Sequence, residues 1–339
     1  MNVRKWSSIF FASLGLLVLI LDGRTGLQGA AEGIDLCIRT VIPSLFPFLF
    51  LCSILTNSLW GGNLAFLRPL GSVMGIPKGG ESLLIAGFLG GYPAGAQTIG
   101  EAYRKNLLDQ HTAEHLLTCC SNAGPAFLFG MVASRFEDAA APWALWSIVI
   151  LSACFTGRSP AGSESTCALP AKSETISAAL TRTVRTMGLI CGWIVLFRVL
   201  FSFLERWILW YFPKELQVAV TGFLELSNGC CALSSVTDPS LRFLFASGML
   251  TFGGICVAMQ TASVIGDLSM TSYLLGKLRQ TGISLLLAAA YLQFGWCSLI
   301  VSGCILALML KLQKKRWISG LFRCIIPLSP PGGKNHAVS

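Results

Sequence analysis

The sequence predicts an all-α, polytopic membrane protein, and three observations carry that prediction. Hydrophobic residues make up 53% of the chain and charged ones only 12%, whereas a soluble domain carries about a quarter charged residues. The mean hydropathy is +0.67. Apolar runs long enough to cross roughly 30 Å of hydrocarbon recur along the chain, and helices are the form in which such runs satisfy their own backbone.

The elements follow in order. "MNVRKWSSIFFASLGLLVLILDG" has a basic start and an apolar body and is read as a retained first transmembrane helix, followed by a loop to residue 33. Residues 34–59 form a second span in which Pro43 and Pro47 introduce kinks. The mixed stretch 63–80 reads as an interfacial helix. Residues 81–102 contain "AGFLGGYPAGAQTIG", with five glycines, a proline and a glutamine in fifteen positions. An apolar run at 113–133 is interrupted by "SNAGP", and a span covers 142–157. The polar segment 158–183 separates this half from the next. A span at 184–204, an aromatic interfacial stretch at 205–216, a polar-interrupted segment at 216–236 and a span at 241–265 containing "FGGICVAMQ" follow. A loop carrying Lys277 and Arg279 leads to a last span at 283–310, and residues 311–339 form a basic, disordered tail.

Laid out by type, 34–157 and 184–310 share one order: span, interfacial helix, interrupted segment, interrupted span, plain span. Paired hydrophobic segments broken at corresponding positions point to a transporter's binding site. The physical reason lies in the backbone. Main chain that leaves the helix inside a bilayer must have its N–H and C=O groups satisfied by protein, water or ligand. "GGYPAG" therefore reads as the tip of a re-entrant hairpin, with Gly90 and Gly91 permitting the turn, Tyr92 at its apex and Pro93 ending the helix. Gln97 and Thr98 lie just past it as candidate solute ligands. "CCSNAGPAF" unwinds the next span and presents Ser121, Asn122, Gly124 and Pro125. In the second half, Glu225, Ser227 and Asn228 take the matching hairpin position, and Gly253, Gly254 and Gln260 the matching broken span.

Plainer readings stand beside these. Gly87, Gly91 and Gly95 also form a G-x-x-x-G-x-x-x-G ladder, which packs helices without any turn. Asn122 and Asn228 each fit an interhelical hydrogen bond. Glu225, a carboxylate in an apolar segment, reads as functional unless 216–236 lies at the surface.

Other function classes find less support. The net charge of +9 comes from cations in short loops and in the tail, a pattern of membrane orientation and anionic-lipid contact, so nucleic acid is not an expected partner. An inside N-terminus places most loop cations, Lys277 and Arg279 among them, on the cytoplasmic side; the same seven-span count puts the tail cluster Lys311, Lys314, Lys315 and Arg316 opposite. The 13 cysteines lie mostly in apolar runs, no C-x-x-C occurs, and there are 3 histidines, so neither a metal nor another cofactor is expected. There is no H-E-x-x-H, no Ser–His pairing and no protease-type aspartate pair, so an enzyme is not expected.

At these residues the chain resembles a known family. "FLGGYPAGAQTIGEAYRKNLL" with "CCSNAGPAFLFG", then "GFLELSNG" with "FGGICVAMQTASVI", are similar to the signatures of the nucleoside-recognition (Gate) domain. They most resemble the YlbJ type of sporulation integral membrane protein, related to the spore maturation proteins A and B. The resemblance covers about 34–310. It implies an inverted repeat with two re-entrant hairpins and two broken helices, similar to the concentrative nucleoside transporters. It also implies a multi-pass protein of the bacterial cell membrane, in the forespore or mother cell, that serves endospore formation. The functions then expected are transport of a small solute, nucleoside-like by analogy alone, or a non-transporting scaffold for spore-envelope assembly. Expected partners are a small-molecule solute, membrane lipid, and further copies of the chain or other sporulation membrane proteins.

Overall fold

The computed structural model describes residues 3–59, 62, 64–158 and 175–309. The expected disordered tail at 311–339 and most of the polar segment 158–183 lie outside the described residues. Among those described, the structure is helical with no strand.

Helix α1 (Val3–Leu21) leads into α2 (Gly23–Ser58). The loop expected at 24–33 is instead the first part of α2, one 36-residue helix. Gly29 and Gly33 explain this, because they let α2 lie against α9 (Ile176–Trp207) at near-backbone contact. A Cβ on Gly33 would stand 3.0 Å from the Cα of Val195. The Arg198 guanidinium on α9 reaches Glu32 on the same face. Helix α2 continues through Pro43 because a π-helical turn, Cys37–Val41, immediately precedes it, and Pro47 follows one turn later inside the helix. The wider path of the π turn accommodates a ring that would otherwise meet the carbonyl of the preceding turn.

Among the described residues of the interfacial stretch 63–80, only α3 (Arg68–Val73) is helical. Arg68 holds the irregular part by donating to the Ile76 carbonyl and the Glu81 carboxylate, both at 3.0 Å. Helix α4 (82–90) then ends at Gly91, whose φ of 76° and ψ of −165° favour glycine, and α5 (Ala94–Arg104) returns alongside it. The glycines settle how the chain runs. A Cβ on Gly95 would lie 2.9 Å from the Cα of Gly87, whereas eight residues of straight helix would separate these positions by about 12 Å. The ladder does pack closely, but across a turn and not along one helix.

Helix α6 (Gln110–Cys119) stops, residues 120–124 are non-helical, and a helical stretch α7 (125–135) resumes. Helix α8 (Ala141–Thr156) completes this half. After α9 come α10 (Lys214–Leu224) and α11 (Leu226–Ala232), joined at Glu225 in extended conformation. A Cβ on Gly229 would lie 2.7 Å from the Gly222 nitrogen, so the chain folds back here as well. Helix α12 (Pro239–Phe252) breaks at Gly253, φ 82°, and α13 (Gly254–Ile265) follows.

The largest departure from expectation is α14 (Met270–Phe294). The last span expected at 283–310 starts earlier and divides at Gly295, φ 59°, with α15 (Trp296–Met309) beyond it. Lys277 is therefore in a helix and not in a loop. Helix α14 packs against α6, α8 and α12, and Tyr273, Lys277, Gln280 and Ser284 share its buried face. Their spacing of four, three and four residues places them in one row.

Among the described residues three helical stretches are long and apolar enough to cross a membrane: Gly23–Ser58, Ile176–Trp207 and, counting α12 and α13 together across Gly253, Pro239–Ile265. Many large apolar side chains on α1, α2 and α9 face outward, Ile20 at 78% exposure being an example. That is the surface a bilayer covers.

Gly95→Val is expected to cost at least about 1–3 kcal/mol, because the obstacle is backbone on two sides. Gly188→Ala, where a Cβ meets nothing within 4 Å, is expected to be neutral or stabilising. Thermal unfolding of the two variants in detergent checks the contrast.

Candidate functional site

Four departures from helical backbone meet at one place. A Cβ on Gly91, at the first fold-back, would lie 2.9 Å from the nitrogen of Gly124 in the first break. One on Gly253, in the second break, would lie 3.1 Å from the Tyr92 ring. One on Gly254 would lie 3.1–3.3 Å from the carbonyl oxygens of residues 222–224, just before the second fold-back. Tyr92 also donates to the Thr251 carbonyl at 3.0 Å, which ties the first half to the second.

A cavity of about 40 Å³ opens where they meet, with room for a few water molecules. Gly90, Gly91, Tyr92, Gly124, Glu225, Ser227 and Gln260 supply its polar and backbone walls, and Phe48, Phe127, Ile190 and Ile194 its apolar ones. Glu225 is 3% exposed. Its carboxylate accepts from the backbone of Ser227 at 2.8 Å, the backbone of Asn228 at 2.6 Å and the Asn228 amide at 2.7 Å. It therefore caps α11 and holds negative charge against that helix's free N–H groups. The Ser227 side chain also bonds this carboxylate, so the first turn of α11 takes up most of its roughly four acceptor positions. Among the described residues no cationic side chain lies within ion-pair distance of it.

Behind the tip lies a second charged centre. Lys277, fully buried, donates to the Ser121 carbonyl, to the Gln280 Oε1 at 2.7 Å and, at 3.5 Å, to the Asn122 Oδ1. Gln280 donates to the same Asn122 oxygen at 2.7 Å, and Asn122 donates to the Cys119 carbonyl at 2.7 Å. The ammonium also sits 5.1 Å from the centre of the Tyr92 ring and 5.9 Å from that of Tyr273, within cation–π range. One amine thus joins the fold-back, the break and α14. The Tyr273 hydroxyl faces those of Ser121 and Thr261, and all three are buried without a partner at hydrogen-bond distance.

The residues singled out in the sequence thus divide into groups. Gly90, Gly91, Tyr92, Gly124, Glu225, Ser227 and Gln260 come together around the cavity. Ser121 and Asn122 stand behind it on Lys277, and Asn228 serves Glu225. Pro93 and Pro125 begin α5 and α7, and Gly253 and Gly254 make the close contacts above. Gln97 and Thr98 lie elsewhere, on a second cavity. Sequence reading missed Lys277, Gln280 and Tyr273. Their periodicity was the available signal, and the two nearby cations in "GKLRQ" masked it as a loop.

Lys277→Met leaves the Ser121 carbonyl and the Gln280 Oε1 buried without the donor that Lys277 supplies. It is expected to cost more than about 3 kcal/mol, read as a lowered unfolding temperature and a loss of monodisperse protein in detergent. Substitution of the neighbouring, exposed Leu278 by Met, as the matched control, is expected to change neither.

No protein-family model matches the chain, so the nucleoside-recognition assignment rests on the sequence signatures alone, and no solved structure matches it. The chain is similar to the sporulation integral membrane protein YlbJ of Bacillus subtilis (strain 168), at 24% identity over 340 aligned positions. The likeness covers 83% of this chain and 81% of that relative. Together with the three helical stretches of membrane-spanning length and apolarity, it supports the resemblance drawn from the paired signatures: this is a membrane-embedded protein similar to the YlbJ type of sporulation integral membrane protein.

Proposed function

We propose that this protein is a transporter or permeation protein for a small solute, acting in endospore formation. The observation that carries the reading is the convergence of two fold-backs and two helix breaks on one cavity with a buried carboxylate in its wall. Such backbone is costly in an apolar medium, and it recurs where an occupant has to be met. In this reading α4–α5 and α10–α11 are re-entrant hairpins, and the two halves form an inverted repeat.

Helical segments α5, α7, α11 and α13 all begin at the cavity, and their first turns have N–H groups without helical partners. Glu225 answers those of α11. A solute with acceptor groups would answer others. A cavity of a few water molecules is too small for most metabolites, so it corresponds to a closed state. Movement of the tip at 91–93 away from 120–124 would enlarge it. The sporulation role follows from the relative's description, and nucleoside-like chemistry from the family analogy.

The test is solute flux in liposomes containing the purified chain, using labelled uridine, ribose, amino acids and phosphate. Glu225→Asp keeps a capping carboxylate for α11 but withdraws it from the wall by about one bond. It is expected to fold normally and lose at least tenfold in flux for the solute the wild type carries. Unchanged flux in this variant removes the site. Absence of flux for every solute, alongside full rescue of sporulation by Glu225→Asp, favours the scaffold role.

A further inference from the structure

A second cavity, also of about 40 Å³, lies between α2, the α4–α5 pair and α9. Gly90 lines both cavities, and the second differs in chemistry from the first. Hydroxyl and amide side chains enter its wall from three helices: Ser53 and Thr56 from α2, Gln97 and Thr98 from α5, Thr183 and Thr186 from α9.

The hydroxyls are in two states. Thr98 and Thr183 donate to the carbonyls four residues earlier, at 2.8 and 2.9 Å, as helical threonines ordinarily do. Thr186 donates to the Gln97 Oε1 at 3.0 Å. Each of these oxygens keeps acceptor capacity. Ser53 and Thr56 behave otherwise. Thr56 is 5% exposed, and neither hydroxyl has a partner, although each is a helical residue with a carbonyl one turn earlier. Buried polar groups left unpaired are rare and costly. Two together in the wall of one cavity point to an occupant that accepts from them.

Charge restricts that occupant. The charged side chains nearby are Arg182, which lines the cavity, and Glu101, and these pair at 3.0 Å; Gln97 donates to the same carboxylate at 3.1 Å. The remaining wall offers donors from Ser53 and Thr56 and acceptors from the three threonines on α5 and α9. A group that both donates and accepts at adjacent atoms, without net charge, complements it, and a hydroxylated carbon chain has that pattern.

We infer that the Ser53–Thr56–Thr186 cavity is a second binding site, specific for the hydroxylated part of an uncharged solute. It rests on the transport reading only in being placed on the solute's route, with Gly90 as the partition between this site and the Glu225 cavity. A Cβ on Gly90 would lie 3.2 Å from the Ala94 side chain and 3.8 Å from that of Cys52, so there is little spare space at the partition.

Equilibrium binding to the full-length protein in nanodiscs tests it, with glycerol, ribitol and ribose as probes and lactate and ethanolamine as charged controls. At least one hydroxylated probe is expected to bind and both controls to fail. Thr56→Val, which keeps the shape and removes the hydroxyl, is expected to weaken binding about fivefold to tenfold. Ser53→Ala provides a second, smaller substitution, and Gly188→Ala, where a Cβ meets nothing within 4 Å, is expected to leave this binding unchanged. Failure of every hydroxylated probe, or equal affinity in wild type, Thr56→Val and Ser53→Ala, overturns the inference. Binding that depends on Thr56 without flux in liposomes supports the site and counts against transport.

Discussion

The structure depends on keeping unwound backbone satisfied inside an apolar chain, and the Lys277 ammonium is the main device for doing so. A helix that ends in the interior exposes carbonyl oxygens with no N–H to receive. At the break after α6, the amine donates to the carbonyl of Ser121 and to the side chains that hold the break open. It draws on neutral oxygens and two ring faces rather than on a carboxylate. Its contact with the Tyr92 ring sets the fold-back against the break in this state. The cavity then exists because neither segment can relax into continuous helix.

The second half meets the same constraint from the opposite end of a helix. There the exposed groups are the N–H donors at the start of α11, and the buried group is an anion, Glu225. An amine serves free carbonyls in one half, and a carboxyl group serves free N–H groups in the other. The two groups are buried without touching each other as an ion pair among the described residues. Each is held by local polar geometry, so each would remain in place if the tip between them moved. An interior ion pair would resist such motion, because separating its members leaves both uncompensated.

Much of this was legible in the sequence, for identifiable reasons. Glycine and proline in apolar runs disclosed the turn at 91–93 and the breaks at 120–124 and 253, because few other residues fit such backbone. Glu225 was legible because a carboxylate is rare in that setting. What failed was the treatment of charge as a marker of loops. Lys277 and Arg279 lie two residues apart, on different faces of α14, and only the buried one belongs to the centre. Helix α14 has too many polar residues to register as a span, yet it packs against three others, because its polar row faces inward. The glycine contacts that join α2 to α9 were illegible for a related reason: close packing depends on partners far along the chain, Val195 for Gly33 and Val199 for Gly29, which no local pattern discloses.

The placement of Gln97 and Thr98 carries this reasoning a step further. They follow the turn closely enough to suggest one shared site with Asn122 and Glu225, yet they face the other side of the α4–α5 pair. A helical hairpin has two faces, and residues at 90–92 and at 97–98 need not look the same way. The pair therefore has polar cavities on both sides, one against the breaks and one against α2 and α9. Only the glycine-rich tip, without side chains at Gly90 and Gly91, is thin enough to separate them. Tyr92, the bulky member of the tip, is anchored away from the second cavity by its hydrogen bond to Thr251 and its contact with Lys277. The thinness of the tip and the anchoring of its single large side chain are thus parts of one arrangement, in which a barrier two glycines wide stands between two polar spaces.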